Sequence, residues 1–205
     1  MTSPAAATVV FDFDGVLLRG DSFALFVRRS VTGWRLPLAL AGAMLLAPVI
    51  AMPAHRHRAG WLISRIALAG RNADELRAAL RRFGTELSRE PDRMIAAGLQ
   101  IIRRHVDAGD RVIVVTGCEH TLARAVLDAV GLPEVELVAS HIRGPKLIVH
   151  CHGAAKMTEL AALGVTPPWQ VAYSDSLADL PVLDGAERAV LVNAGPRSIA
   201  QARRL

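Results

Sequence analysis

The chain has 205 residues, 52% hydrophobic and 21% charged, with a formal charge of +5 and a pI of about 10.2. Such a chain suits one domain, or a core domain with a modest insertion, and wholesale disorder is excluded. The basic excess favours anionic partners, but scattered arginines, one Tyr and three Trp argue against nucleic acid.

In chain order, Val9-Val10-Phe11 runs into Asp12-Phe13-Asp14-Gly15 and reads as a first strand over 8–13. Residues 21–90 hold no convincing strand and are helical in pattern. Within them Asn72-Ala73-Asp74-Glu75 has capping-box spacing and starts a helix. Pro91-Asp92 opens another, running to His105 or Ala108 before Gly109. Strands follow at 111–116, 135–139, 170–174 and 188–193. Helices from Glu119 to Val130 and from Gly153 to Leu163 are stopped by Gly131 and Gly164. His141 to His150 forms a turn and short extended stretch around Gly144-Pro145, and Pro196 opens a last helix through Arg204. The alternation predicts an α/β fold: a Rossmann-like parallel sheet flanked by helices, with an all-helical cap inserted after the first strand. Residues 1–20 and 91–205 form the core domain, and 21–90 the cap.

Cys118 and Cys151 are the only cysteines, too few for a disulfide framework. The N-terminus lacks the basic and apolar pattern of a secretory leader, so a cytoplasmic location is expected. Leu36 to Ala54 is nineteen residues without a charge, followed by His55-Arg56-His57-Arg58. A helix of that length spans roughly 28 Å, about one hydrocarbon core. Pro37, Pro48, Pro53 and Gly42 break up a regular helix. A single crossing would also part Asp12 from Asp175. A buried pair of cap helices is the first expectation. Peripheral or re-entrant contact with the inner membrane face, arginines on anionic headgroups, is the second. Trp34 and Trp61, which flank the stretch, are expected in the core.

The three runs that end in Asp12 and Asp14, in Thr116 and in Asp175 and Asp179 decide the chemistry. Ligands of open α/β sheets bind beyond the carboxyl ends of the strands, so these groups converge there. Four carboxylates in one crevice call for a cation, and hard oxygen donors suit Mg²⁺. Asp12 and Asp14 share a face of the strand end, so one can attack phosphorus while the other protonates the departing oxygen. Gly15 permits a sharp turn that brings N–H groups to phosphoryl oxygens. Thr116, with Gly117, hydrogen-bonds the same oxygens, and Lys156 neutralises charge on nucleophile and phosphoryl group. Asp175 and Asp179, one helical turn apart, face one ion or brace its ligands. His150-Cys151-His152 and Cys118-Glu119-His120 contain zinc-ligand types, but adjacent ligands are badly spaced for a tetrahedral site, and packed or solvated loops are expected.

The motifs Phe11-Asp12-Phe13-Asp14-Gly15-Val16, Val114-Val115-Thr116-Gly117, Lys156 and Ser174-Asp175-Ser176-Leu177-Ala178-Asp179 resemble, in order, those of the haloacid dehalogenase-like phosphohydrolases. The resemblance implies Asp12 as nucleophile and Asp14 as acid/base. It also implies Mg²⁺ held by Asp12, the Asp14 carbonyl and Asp175, with Asp179 in support. Asp14 favours a phosphatase over a dehalogenase, which has no alkoxide to protonate. The helical insertion is similar to that of the phosphoserine phosphatase-like branch, where Asp21 falls near an acidic substrate contact. The apolar cap stretch, Cys151-His152-Gly153 and Tyr173-Ser174-Asp175-Ser176 look more like phosphatidylglycerophosphatase C-type proteins. The expected substrate is thus a phosphorylated small molecule or a lipid phosphate. A phosphomutase or phosphotransferase, and a non-enzymatic phospho-acceptor or membrane-docked module, are the rivals.

Overall fold

Val9, Val10 and Phe11 form the centre of a six-stranded sheet because they are apolar on both faces. The structure, a computed structural model, describes residues 7–51, 64–143, 146–193 and 195. Strand β1 (Thr8–Phe11) lies between β2 (Arg111–Glu119) and β5 (Trp169–Ser174). Beyond them come β3 (Glu136–Arg143), β4 (Lys146–Val149) and β6 (Ala186–Leu191), in the spatial order β4-β3-β2-β1-β5-β6. All neighbours pair in parallel except β3 and β4. This is the predicted α/β sheet flanked by helices. His141 to His150, read as a turn with a short extended stretch, proves to hold this antiparallel edge, which ends at Val149. Gly144-Pro145, at its turn, lies outside the described residues.

The helices are α1 (Ser22–Ser30), α2 (Arg35–Ala51), α3 (Ala73–Leu87), α4 (Ala96–Asp107), α5 (His120–Ala129), α6 (Ala155–Ala162) and α7 (Leu180–Asp184). Strand periodicity divides the core into two layers. Val9, Phe11, Val112 and Val114 pack with Leu76, Leu80 and Leu87 of α3 and with Leu122 and Val126 of α5. Val10, Ile113 and Val115 face the other way, onto Leu160, Trp169 and Val182. Helix α3 is amphipathic and carries the predicted capping box: Asn72 accepts from Asp74 and Glu75 N–H, and Glu75 accepts from Asn72 N–H. It approaches α5 closely at Gly84, where a Cβ would lie 2.7 Å from the Leu122 carbonyl oxygen.

Four expectations change. Helix α4 starts at Ala96, not at Pro91. Residues 93–95 are held extended instead, with Arg19 N–H donating to the Arg93 carbonyl and Ile95 N–H to that of Leu17, both at 2.9 Å. Asp92 turns the chain there with φ of 57°. Prolines 37 and 48 do not interrupt α2, which runs unbroken over 17 residues. Pro37 sits in its first turn, where no N–H partner is needed. Nor is α2 buried: of the residues from Arg35 to Leu45 only Ala39 is, while Met44 and Leu45 are 79% and 82% exposed. Trp34, expected in the core, is 56% exposed. Arg35 donates to the Ala69 carbonyl at 2.8 and 3.1 Å, and the Cβ position of Gly42 is 3.3 Å from Ile66, which ties α2 to helical residues 64–68. No described helix is long and apolar enough to cross a membrane. Pro53, His55 to Arg58, Trp61 and the helix expected after Pro196 lie outside the described residues.

Candidate active site

At the carboxyl end of β1, Asp12 and Asp14 open into a cavity of about 830 Å³ while Phe13 between them is sealed in the core. The Asp12 N–H donates to the Tyr173 carbonyl at 2.8 Å, which fixes this strand end against β5. Lys156, near the start of α6, donates to Asp12 Oδ1 at 3.0 Å and to Asp179 Oδ2 at 2.7 Å. Ser174 Oγ also donates to Asp179 Oδ2, at 2.9 Å. Lys156 is 2% exposed and Asp179 3%. Two carboxylates therefore share one buried ammonium. Burial pushes the Asp12 pKa up to about 7, with Lys156 opposing and Asp179 adding to the rise. Burial acts against the Lys156 ammonium too, but Asp12 and Asp179 outweigh it and hold its pKa above the usual value.

Asp14 is held by one residue. Ser22 N–H donates to Asp14 Oδ1 and Ser22 Oγ to Oδ2, each at 3.2 Å. The same hydroxyl lies 3.1 Å from Cys118 Sγ. Burial drives the Asp14 pKa well above the carboxylate range; Asp21 and Asp12 reinforce the rise and the Ser22 bonds oppose it. Ser22 opens α1, and Asp21 caps that helix by accepting from Ala24 N–H at 2.8 Å. Asp21 thus lines the cavity with one carboxylate oxygen committed to the helix end. Nothing in the sequence singles out Ser22, since a serine beside a capping aspartate is ordinary.

Gly15 turns with φ of 77°, and a Cβ there would lie 2.1 Å from Asp175 Oδ2. The first and fourth motifs meet at that glycine because no side chain intervenes. Asp175 is partly buried, and its pKa is raised by burial and then by Asp179. Residues 175 and 179 are not one α-helical turn apart as expected: a loop leads into a 3-10 turn, Leu177–Asp179. Asp175 consequently faces Gly15 and Asp179 faces Lys156. Thr116 is buried in β2, which runs on through Gly117 to Glu119, and both residues line the cavity. Thr116 Oγ1 accepts from Cys118 N–H at 3.0 Å.

The structure thus brings Asp12, Asp14, Gly15, Asp21, Thr116, Gly117, Lys156, Asp175 and Asp179 to one cavity. Asp12, Asp14, Asp175 and Asp179 do not form one tight carboxylate cluster. No three His, Cys, Asp or Glu side chains among the described residues are gathered as a metal centre. The Asp14 carboxylate is turned to Ser22, and Asp179 Oδ2 to Lys156 and Ser174. Cys118 and Cys151 are free thiols, both buried.

Among solved structures, a protein of unknown function from Bordetella pertussis Tohama I is similar with a TM-score of 0.71 and 22% identity, covering 98% of this chain and 97% of its own. A substrate-bound phosphoserine phosphatase is similar with a TM-score of 0.61 and 15% identity, covering 96% and 90%. A phospho-aspartyl intermediate analogue of phosphoserine phosphatase has a TM-score of 0.57 and 14% identity, again covering 96% and 90%. These likenesses are of fold. No curated protein matches the sequence. The profile of the haloacid dehalogenase-like hydrolases matches residues 9–184, most of the chain and all four motifs. By that match the chain belongs to the haloacid dehalogenase-like hydrolase family.

Proposed function

We propose that the protein is a Mg²⁺-dependent phosphatase that hydrolyses a phosphomonoester through an aspartyl-phosphate on Asp12. The observation that carries this is the pair of cavity-facing carboxylates on one strand end, Asp12 bonded to the buried Lys156 and Asp14 kept apart on Ser22. An Asp12 oxygen attacks phosphorus, the ester P–O bond breaks, and its electron pair leaves on the alkoxide oxygen. Asp14, whose raised pKa keeps a proton available, protonates that oxygen. The Asp14 carboxylate then takes a proton from water as the water attacks the aspartyl-phosphate and releases Asp12. Lys156 balances charge on Asp12, and Thr116 and the Gly117 backbone bind phosphoryl oxygens.

The site fits a hard divalent cation. Its donors are oxygens, and burial, reinforced by repulsion from Asp179, raises the proton affinity of both Asp12 and Asp175, a strain that a cation relieves. Asp12, the Asp14 carbonyl and Asp175 would hold it, with Asp179 bracing through Lys156. When bound, Mg²⁺ offsets the repulsion between an anionic nucleophile and an anionic substrate. Within this proposal residues 21–90 act as a cap over the core formed by 1–20 and 91–205.

The test is Asp12→Asn. Turnover of p-nitrophenyl phosphate with Mg²⁺ should fall by roughly a thousandfold or more while the circular dichroism spectrum is kept. Near-normal turnover in that variant would remove the mechanism. Added alcohol acceptors separate hydrolysis from phosphotransfer by the products formed, and stable Asp12 phosphorylation without turnover would point to a phospho-acceptor.

A second reading, that the substrate is a lipid phosphate met at the inner membrane face, is favoured by α2. Its apolar side chains are exposed on several faces, Leu36, Leu38, Leu40, Met44 and Leu45 among them, as in a helix seated in an apolar medium. It is also tied to residues 64–68, whose Ser64 lines the catalytic cavity.

A further inference from the structure

The charges that line the cavity are nearly all committed within the protein. Lys156 is bonded to Asp12 and Asp179, Asp14 to Ser22, Asp21 to the Ala24 N–H, and Glu119 to Thr121 and Leu122. Arg28 differs. It lines the same cavity, is exposed, and makes no ion pair or side-chain hydrogen bond among the described residues. Neighbouring arginines are used otherwise: Arg29 and Arg93 pair with Glu90, and Arg35 binds the Ala69 carbonyl.

Position gives the free cation a meaning. Asp21, Ala24 and Arg28 lie on one face of α1 by helical spacing, and all three line the cavity. Ser22, which holds Asp14, is six residues before Arg28, so about 9 Å of helix axis separates the residue that holds the acid/base from the one that carries the guanidinium. Phe23 and Val27 stand between Ser22 and Arg28 on α1 and line the cavity, as do Ile142 and Leu147 from the β3–β4 edge. A ligand that fills this space meets phosphoryl-binding groups at one end, apolar surface along its body and one unpaired cation beyond.

We infer that Arg28 forms a second anion subsite, and that the preferred substrate is a phosphomonoester whose leaving alcohol carries its own negative group, a phosphate, phosphodiester or carboxylate, several bonds from the reacting phosphorus. This rests on the phosphatase reading of the site and adds the substrate class to it. The second anion must overcome the acidic floor, and a guanidinium fork two turns from Asp21 is placed to hold it away from those carboxylates.

The test compares 1,4-butanediol bisphosphate with the monophosphate of the same diol, at fixed free Mg²⁺, in the full-length protein. The bisphosphate is expected to show kcat/KM at least tenfold higher, carried by KM, beyond the twofold that its two equivalent ends supply. In Arg28→Gln the ratio should fall to about two, and Arg28→Lys should restore part of it. A wild-type ratio near two, or a ratio that survives Arg28→Gln in a variant with unaltered thermal melting, overturns the inference while turnover of p-nitrophenyl phosphate upholds the phosphatase. Absence of turnover on all three esters is instead the failure of the phosphatase reading, and the subsite falls with it.

Discussion

The cavity floor and helix α2 break the usual rule of polarity in opposite directions. The floor buries Lys156, Asp179, Thr116 and Ser174, residue types that normally stay in water. Helix α2 leaves large apolar side chains in water, where they gain nothing from the core. Both departures work against the stability of the isolated fold, and they border one cavity, the floor directly and α2 through residues 64–68. Helix α3 is orthodox by contrast: from the same helical stretch as α2, it has a capped start and buries Leu76, Leu80, Phe83 and Leu87. Function is to be sought at the floor and at α2, since ordinary packing accounts for α3 and for neither of the other two.

The largest effect should come from Lys156→Met. It leaves Asp12 and Asp179 facing each other without a cation, and removing one partner of a buried ion pair costs about 3–5 kcal/mol. Urea denaturation measures it; a loss below about 1 kcal/mol would mean that the floor is not the charged knot described here.

A smaller effect follows from pH. Asp12 holds its proton more tightly folded, with a pKa of about 7 against 3.8. The folded state then binds more protons than the unfolded one across that interval, so this carboxyl's contribution is full below about pH 4 and is lost as pH rises through 7. Asp14 and Asp175, also raised, act in the same sense. Melting temperatures in EDTA should fall between pH 5 and pH 8, less steeply in Asp12→Asn. Mg²⁺ should restore more at pH 8 than at pH 5. An equal shift at both pH values would contradict a cation held by these carboxylates.

The smallest effect on stability belongs to α2. Leu45→Ser should change unfolding free energy by no more than about 0.5 kcal/mol, because the side chain is almost fully solvated. Combined with Met44→Ser, it should nevertheless release the protein from vesicles of anionic lipid in a flotation assay. Destabilisation by more than about 1 kcal/mol would show that α2 is packed after all, and undiminished flotation would sink the membrane reading.

What the sequence discloses of this fold depends on how local each signal is. Val112 to Val115 and Gln170 to Tyr173 announce buried strands by their own composition, and Asn72 with Glu75 announces a helix start through bonds within four residues. The motif residues are legible for the same reason, each standing at the end of such a run. The start of α4 is not, because residues 93–95 are held extended by Leu17 and Arg19, more than seventy positions away. Ser22 is equally hidden: its role exists only once α1 has returned it to the Asp14 carboxylate. Asp175 and Asp179 invite a helical reading by their spacing, whereas Gly15 and Lys156 draw them to different partners.

The turn at Gly15 has one more tether. Asn193, itself at φ of 51°, donates from Nδ2 to the Gly15 carbonyl at 2.9 Å, from beyond β6 and past residue 184, where the family match stops. A fragment trimmed to the matched span would keep every motif yet lose the amide that steadies the backbone between Asp14 and Val16. A unit that keeps this turn as it stands therefore reaches at least to Asn193.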